Sequence, residues 1–302
     1  MKHVISMRDL GSADILALLD IAEKIESKEI QPDISDKVAA LLFYEPSTRT
    51  IFSFDTAVKR MQGKTIIMAG SESSSVKKGE SFSDTVNVVR QYADIMIIRS
   101  IVEGAARYAS ELLDIPVVNA GDGSNQHPTQ TLLDMYSIKK TQGTLEGLNI
   151  ALVGDLRFGR TIHSLVYGLA HFGVTFYLVS PRHLKLPDYI RNDETLSNVV
   201  FMESNDLNEI IPSLDVMYVT RVQKERFADP VEYEQVKNSY QITNSLFQHN
   251  TPKDTFRILH PLPRVNEISI DVDTTKYAYY FQQAKNGLFI RQAIIAKLLG
   301  AI

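Results

Sequence analysis

The chain is 302 residues long and 44% hydrophobic, with 32 basic against 36 acidic side chains and no cysteine. That length exceeds the usual single core, so two domains of roughly 150 residues each are expected. A formal charge of -4 argues against nucleic-acid or anionic-membrane partners held by bulk positive charge, and the missing cysteine excludes disulfides, thiolate catalysis and cysteine-ligated zinc, which fits a cytoplasmic protein.

The N-terminal stretch scatters charges through an amphipathic pattern and lacks the apolar core of a secretory signal. No run approaches the ~18 apolar residues of a membrane span, so a soluble protein is expected. Asp14 to Ser27 is predicted as the first helix, capped by Ser12, with Ile15, Leu18, Leu19, Ile21, Ala22 and Ile25 as its buried stripe. The apolar strand Val38 to Tyr44 then runs into Glu45-Pro46 and Ser47-Thr48-Arg49-Thr50, where a helix to Met61 begins. Thr65 to Met68 reads as a short strand, and residues 70 to 80, small, polar and basic, as a mobile loop. Asp84 to Tyr92 is predicted helical, Ile95 to Ile98 a strand, Ala105 to Leu113 a helix, and Val117-Val118 the start of a strand before a turn-rich segment. Pro128 opens a longer helix through Lys140, a candidate bridge between domains. The same alternation follows: strand Asn149 to Val153, helix Gly159 to Phe172, and strands Thr175 to Val179, Val216 to Val219 and Arg257 to Leu259, with a terminal helix Gly287 to Leu299. This predicts an α/β fold of two doubly wound domains with central parallel sheets, joined by helices.

Nearly every polar motif directly follows an apolar strand, and open parallel sheets bind ligands outside the carboxyl ends of their strands. Six such segments are expected to meet at one crevice, and Arg49, Arg99, Arg160, Arg221 and Arg264 place an arginine in five of them. On an acidic protein this points to two anionic ligands meeting between the domains. The Ser47-Thr48-Arg49-Thr50 turn joins a helix N-terminus to a guanidinium fork, a combination suited to phosphate or carboxylate. Each arginine also has a plainer reading as a surface ion-pair partner, and Glu45 reads as the acceptor that orients them. His127, just before Pro128, with Gln130 three residues on, reads either as a helix cap or as a donor to negative charge developing on a carbonyl oxygen. Lys77-Lys78-Gly79 reads as a charged loop tip. Gly154 and Gly159 lack the third glycine of a dinucleotide fingerprint, and Asp155 would repel a pyrophosphate.

Together FYEPSTRT, SSVKKGES, EGAAR, AGDGSNQHPTQTLLD, VGDLRFGRTIHSL, TRVQKER, HPLPRVNEI and FQQAKNGLFIRQA resemble, in order over essentially the whole chain, the aspartate/ornithine carbamoyltransferase family. TRVQKER and HPLPR resemble its aspartate-specific catalytic chains, whereas the ornithine enzymes carry a cysteine in the later motif. The resemblance implies a carbamoyl phosphate domain over residues 1–128 plus 286–302 and an aspartate domain over 129–285, with the active site in the crevice between them. It assigns carbamoyl phosphate to Ser47, Thr48, Arg49, Thr50 and Arg99. Thr50, Arg99 and His127 would polarise the carbamoyl oxygen, with Arg49 beside them in the catalytic set, and Gln130 would hold the carbamoyl amide. Arg160, Arg221 and Gln223 would take the aspartate carboxylates, and the backbone of Pro261 and Leu262 would contact the carbamoyl and amino groups. The Leu262-Pro263 bond is typically cis in the family. Ser74 and Lys78 would reach a neighbour's site, Lys78 serving aspartate as well as carbamoyl phosphate. That makes the protein a homotrimer with shared sites, its terminal helix packed on the first domain. No cofactor, metal, nucleic acid or membrane is implied, and a separate regulatory chain is left open. Two departures stand out: Ile51 replaces a usual arginine after Thr50, and Ser100-Ile101-Val102 replaces a usual His-Pro stretch. A carbamoyltransferase for another amino acid, a non-catalytic anion-binding paralogue and a dinucleotide oxidoreductase are the rival readings.

Overall fold

A computed structural model describes residues 1–70, 79–222, 233–234 and 240–302. Ser74, Lys78 and Gln223, most of the expected mobile loop and most of TRVQKER lie outside the described residues. The chain divides into two compact units, Met1–Leu133 with Lys285–Ile302, and Asp134–Ala284.

The first unit holds a four-stranded parallel sheet in the order β2-β1-β3-β4, formed by Val38–Phe43 (β1), Lys64–Ala69 (β2), Ile95–Ser100 (β3) and Val117–Asp122 (β4). β3 and β4 are buried along their whole length and β1 from Ala39 on, as expected of strands covered on both faces, whereas edge strand β2 is largely exposed. The outer side of β4 is closed by the N-terminal segment, where the Val4 amide donates to the Val117 carbonyl and the Asn119 amide to the Val4 carbonyl at 3.0 and 2.8 Å. Helices Ser12–Glu26 (α1), Thr48–Arg60 (α2), Phe82–Val89 (α3) and Ala105–Leu112 (α4) complete the unit.

The second unit carries a five-stranded parallel sheet in the order β7-β6-β5-β8-β9, formed by Asn149–Val153 (β5), Thr175–Val179 (β6), Val200–Glu203 (β7), Val216–Val219 (β8) and Arg257–Leu259 (β9). Helix Pro128–Gln142 (α5) begins in one unit and ends in the other, and Tyr280–Leu298 carries the chain back. Arg160–Leu169 (α6) follows β5. In the first unit Arg291, on the last helix, donates to the Ser53 hydroxyl of α2 at 2.8 Å and lies over the Phe54 ring. Among the described residues no helix is long and apolar enough to cross a membrane.

Several boundaries differ from the sequence expectation. Gly11, extended at φ -77° and ψ 167°, occupies the N-cap of α1 without a side-chain bond, so Ser12 is the first helical residue rather than the cap. Helix α2 starts at Thr48 instead of Thr50, and α3 spans Phe82–Val89 instead of Asp84 to Tyr92. The predicted helix Gly159 to Phe172 is α6 followed by a separate tight turn, Ala170–Phe172. The terminal helix starts at Tyr280, well before Gly287. β7 went unpredicted because its half-exposed edge sequence VFME lacks the apolar run of a central strand. β3 and β4 outrun their apolar residues because ladder bonding, which needs only backbone, continues through Arg99-Ser100 and Asn119 to Asp122.

Candidate active site

In the first unit the adjacent strands β1, β3 and β4 deliver their carboxyl ends to one edge. β1 has β2 on one side and β3 on the other, so the chain changes winding direction there, the position where open sheets bind ligands. After β1, Ser47 takes the N-cap of α2 with φ -159° and makes no side-chain cap bond. Its hydroxyl instead donates to the Thr50 hydroxyl at 2.9 Å. The first turn contains Thr48, Arg49 and Thr50 and no acidic residue, so the positive end of the helix dipole is not offset by a carboxylate in that turn. Thr50 is buried and Arg49 exposed.

Arg99 lies within β3, where pairing with β4 shifts register between Ile98 and Ser100. Such irregularities re-aim side chains at sheet edges. Its Nε stands 3.2 Å from the Glu45 carboxylate and its terminal nitrogen donates to the Ala120 carbonyl at 3.3 Å. Glu45 therefore does orient an arginine. The β4 end is fixed by Asp122, a residue with no role in the sequence reading. One carboxylate oxygen accepts from the Gln126 amide at 2.9 Å and the Asn119 side chain at 3.1 Å, and the other from the Gly104 amide at 2.9 Å and Asn125 at 3.2 Å. The signal was the small-residue run AGDGSNQ, in which a lone carboxylate can gather several donors. This turn leads into α5, where the His127 carbonyl accepts from the amides of Gln130 and Thr131 at 3.0 and 3.1 Å. The cap role of His127 is thus carried by its backbone, and its side chain is buried, as are those of Thr129, Gln130 and Thr131 in the same segment.

The second unit repeats the arrangement with β5, β8 and β9, and β5 is likewise flanked on both sides, by β6 and β8. Arg160 opens α6 after β5, Arg221 lies just past β8, and Pro261-Leu262 follows β9. Gly154, at φ +113°, lies so close to β8 that an added Cβ would stand 2.3 Å from the Thr220 carbonyl oxygen. Gly159 is equally constrained, since its Cβ would meet the Asp155 carbonyl oxygen at 2.5 Å. The Asp155 carboxylate accepts from the amides of Arg157 and Phe158 at 3.1 and 2.9 Å, so it occupies the turn where a dinucleotide's pyrophosphate would seek donors. Both glycines are explained by close backbone approach, and the dinucleotide reading has no geometric support.

Arg264 separates from the other strand-end arginines. Its guanidinium pairs with both oxygens of Asp273, donates to the Tyr280 hydroxyl at 2.9 Å and lies over the Tyr280 ring. The plainer ion-pair reading describes this residue. Before it, Leu262 adopts φ +55°, which was not anticipated, ahead of the cis bond to Pro263 that the family resemblance implies. Among the described residues no group of three or more potential metal ligands comes together.

Two family models cover the chain in succession, the first running past Leu133 and the second taking in residues of the terminal helix that the compact units place with the first. Residues 2–140 match the family model "Aspartate/ornithine carbamoyltransferase, carbamoyl-P binding domain", and residues 146–298 match "Aspartate/ornithine carbamoyltransferase, Asp/Orn binding domain". The aspartate carbamoyltransferase catalytic subunit of Parabacteroides distasonis is 50% identical over 300 residues, covering 99% of this chain and 97% of that one. Among solved structures, the catalytic subunit of Methanocaldococcus jannaschii aspartate transcarbamoylase superimposes with a TM-score of 0.90 at 50% identity, over 99% of this chain and 98% of that one. Trypanosoma cruzi aspartate transcarbamoylase, in complex with carbamoyl phosphate and aspartate, gives 0.90 at 34% identity over 97% of this chain and 95% of its own.

Proposed function

The chain belongs to the aspartate/ornithine carbamoyltransferase family, and we propose that it transfers the carbamoyl group of carbamoyl phosphate to the amino group of L-aspartate, releasing phosphate and N-carbamoyl-L-aspartate. The observation that carries this reading is the pair of arginines at each winding reversal, Arg49 and Arg99 after β1 and in β3, Arg160 and Arg221 after β5 and β8. Carbamoyl phosphate takes the α2 turn Ser47-Thr48-Arg49-Thr50 with Arg99, its amide meeting Gln130. Aspartate takes Arg160, Arg221 and Gln223. The amine attacks the carbamoyl carbon, a tetrahedral oxyanion forms beside Thr50, Arg99 and His127, and the C–O bond to phosphate breaks. Backbone at Pro261 and Leu262 meets the carbamoyl and amino groups. No enzyme nucleophile is needed, so rate comes from positioning and from charge arranged before the reaction. The leaving phosphate accepts the amine proton.

In the same proposal Ser74 and Lys78 complete a neighbouring site in a homotrimer, and the enzyme works in the cytoplasm early in pyrimidine synthesis. Purified protein is assayed with carbamoyl phosphate and either aspartate or ornithine; faster turnover of ornithine overturns the substrate assignment. Arg49→Ala and Lys78→Ala proteins, each nearly inactive, regain activity when dissociated and reassembled together. Mixed trimers of verified composition that stay inactive refute site sharing. Native mass measurement gives three copies, and any additional polypeptide identifies a regulatory chain.

A further inference from the structure

Within the second unit a buried chain of hydrogen bonds ends on the backbone of Leu262. The Tyr218 hydroxyl donates to one oxygen of Asp134 at 2.8 Å, and the Gln283 amide donates to the other at 2.6 Å. The Gln283 carbonyl oxygen accepts the His260 backbone amide at 2.8 Å. The His260 ring then lies between two partners: its Nδ1 faces the Leu262 amide at 2.8 Å and its Nε2 faces the Glu267 carboxylate at 2.7 Å. The second Glu267 oxygen accepts the amides of Val265 and Asn266 at 3.0 and 3.1 Å. A backbone N–H can only donate, so Nδ1 must be the bare acceptor and Nε2 must carry the proton given to Glu267. His260 is thereby fixed in one neutral tautomer, and the turn 260–267 is tied at both ends of a single imidazole.

We propose that His260, held as its Nε2–H tautomer by Glu267, is the positioning residue that sets the Leu262 backbone for the carbamoyl and amino groups. The idea rests on the carbamoyl-transfer reading for what Leu262 touches. Leu262 is a non-glycine residue at φ +55°, a conformation that persists only when its surroundings over-determine it. The His260 bond to its amide supplies that determination. The charged groups around the ring agree with a neutral imidazole: burial holds His260 below its ordinary value, Glu267 opposes this, and Arg264 and Arg221 reinforce it. Burial pushes the Glu267 carboxyl up, but His260 and the local amides outweigh it and leave it below its ordinary value, an acceptor for Nε2–H.

Two near-isosteric changes separate positioning from space filling. Asn at position 260 can put its carbonyl oxygen where Nδ1 stands, whereas Gln reaches instead toward the Nε2 position. In Glu267→Gln the carbonyl oxygen stays with the Val265 and Asn266 amides, so its NH2 faces His260, drives the proton to Nδ1 and sets N–H against N–H at Leu262. We expect His260→Gln and Glu267→Gln to lose about 100-fold in kcat/KM for aspartate, as a misplaced contact group does, with His260→Asn retaining about tenfold more than His260→Gln. Inorganic phosphate affinity of the folded variants, read by calorimetry, checks that the first unit is intact. Nitrogen NMR of histidine-labelled wild-type protein should show Nδ1 bare and Nε2 protonated. A protonated Nδ1 overturns the proposal whatever the variants do, and so does equal activity of His260→Gln and His260→Asn. If wild-type protein makes no carbamoyl aspartate, the functional reading fails, while the NMR result still judges the clamp.

Discussion

The two units present the same three-strand motif, β1-β3-β4 in one and β5-β8-β9 in the other, yet they fix their polar groups by different means. The first aims side chains with charge: Glu45 stands 3.2 Å from Arg99, and Asp122 draws four donors into the turn before His127. The second aims them with backbone: Gly154 lets β5 approach Thr220, and Leu262 is held at φ +55° by a neutral imidazole. Arg264, at the end of the second unit's β9 motif, is gripped by the Asp273 carboxylate through both terminal nitrogens. Glu45 meets Arg99 at Nε, whereas Asp273 takes both terminal nitrogens of Arg264, a two-oxygen pair that fills its fork.

The comparison can be broken most directly at Arg99. Arg99→Ala should lower kcat by about 10²–10³-fold, the loss seen when one donor to a developing oxyanion is removed, whereas Arg264→Ala should leave kcat within about threefold. Steady-state kinetics on both proteins checks this, and an equal loss would abolish the distinction between aiming and structural arginines. In the second unit, Gly154→Ala places a methyl against the Thr220 carbonyl at positive φ and should cost about 3 kcal/mol, against about 1 kcal/mol for Gly143→Ala, whose φ is +77° in open space. Urea unfolding midpoints measure the difference. Glu45→Gln keeps the shape beside Arg99 but removes the charge, and about a tenfold fall in kcat/KM is expected, modest because the pair is partly exposed. Rescue by raised carbamoyl phosphate would show that the loss is in binding. The smallest effect concerns acid stability. The Arg264 guanidinium holds the Asp273 carboxyl below its ordinary value, so the unfolded chain binds the proton first. That contribution is present above the ordinary carboxylate range and lost as pH falls through the lowered value. Asp273→Asn should flatten this part of the stability profile, and an unchanged slope would show that the pair contributes nothing.

Much of this was legible beforehand. The apolar runs Val38 to Phe43, Asn149 to Val153 and Val216 to Val219 name their strands because side chains buried on both faces must be apolar, and the following motifs name the site edge because parallel strands all end on the same side. Gly154 and Gly159 were visible as a pattern, but the reason for them was not, since the carbonyl of Thr220 is brought there by the sheet. The edge strand β7 was hidden because pairing on one side requires backbone alone, and backbone is the same for every residue.

By itself the sequence determined the α/β class, the family, and which segments carry the charged groups, because composition and short-range periodicity encode burial and local turns. The tertiary structure decided how each arginine is paired: Arg99 and Arg264 looked alike in the sequence, and the difference lies in a carboxylate brought up from Glu45 to Nε of one or from Asp273 to the fork of the other. It also decided the tautomer of His260, since a ring's proton is assigned by the partners on its two nitrogens, and here those partners sit two and seven residues away on a folded turn.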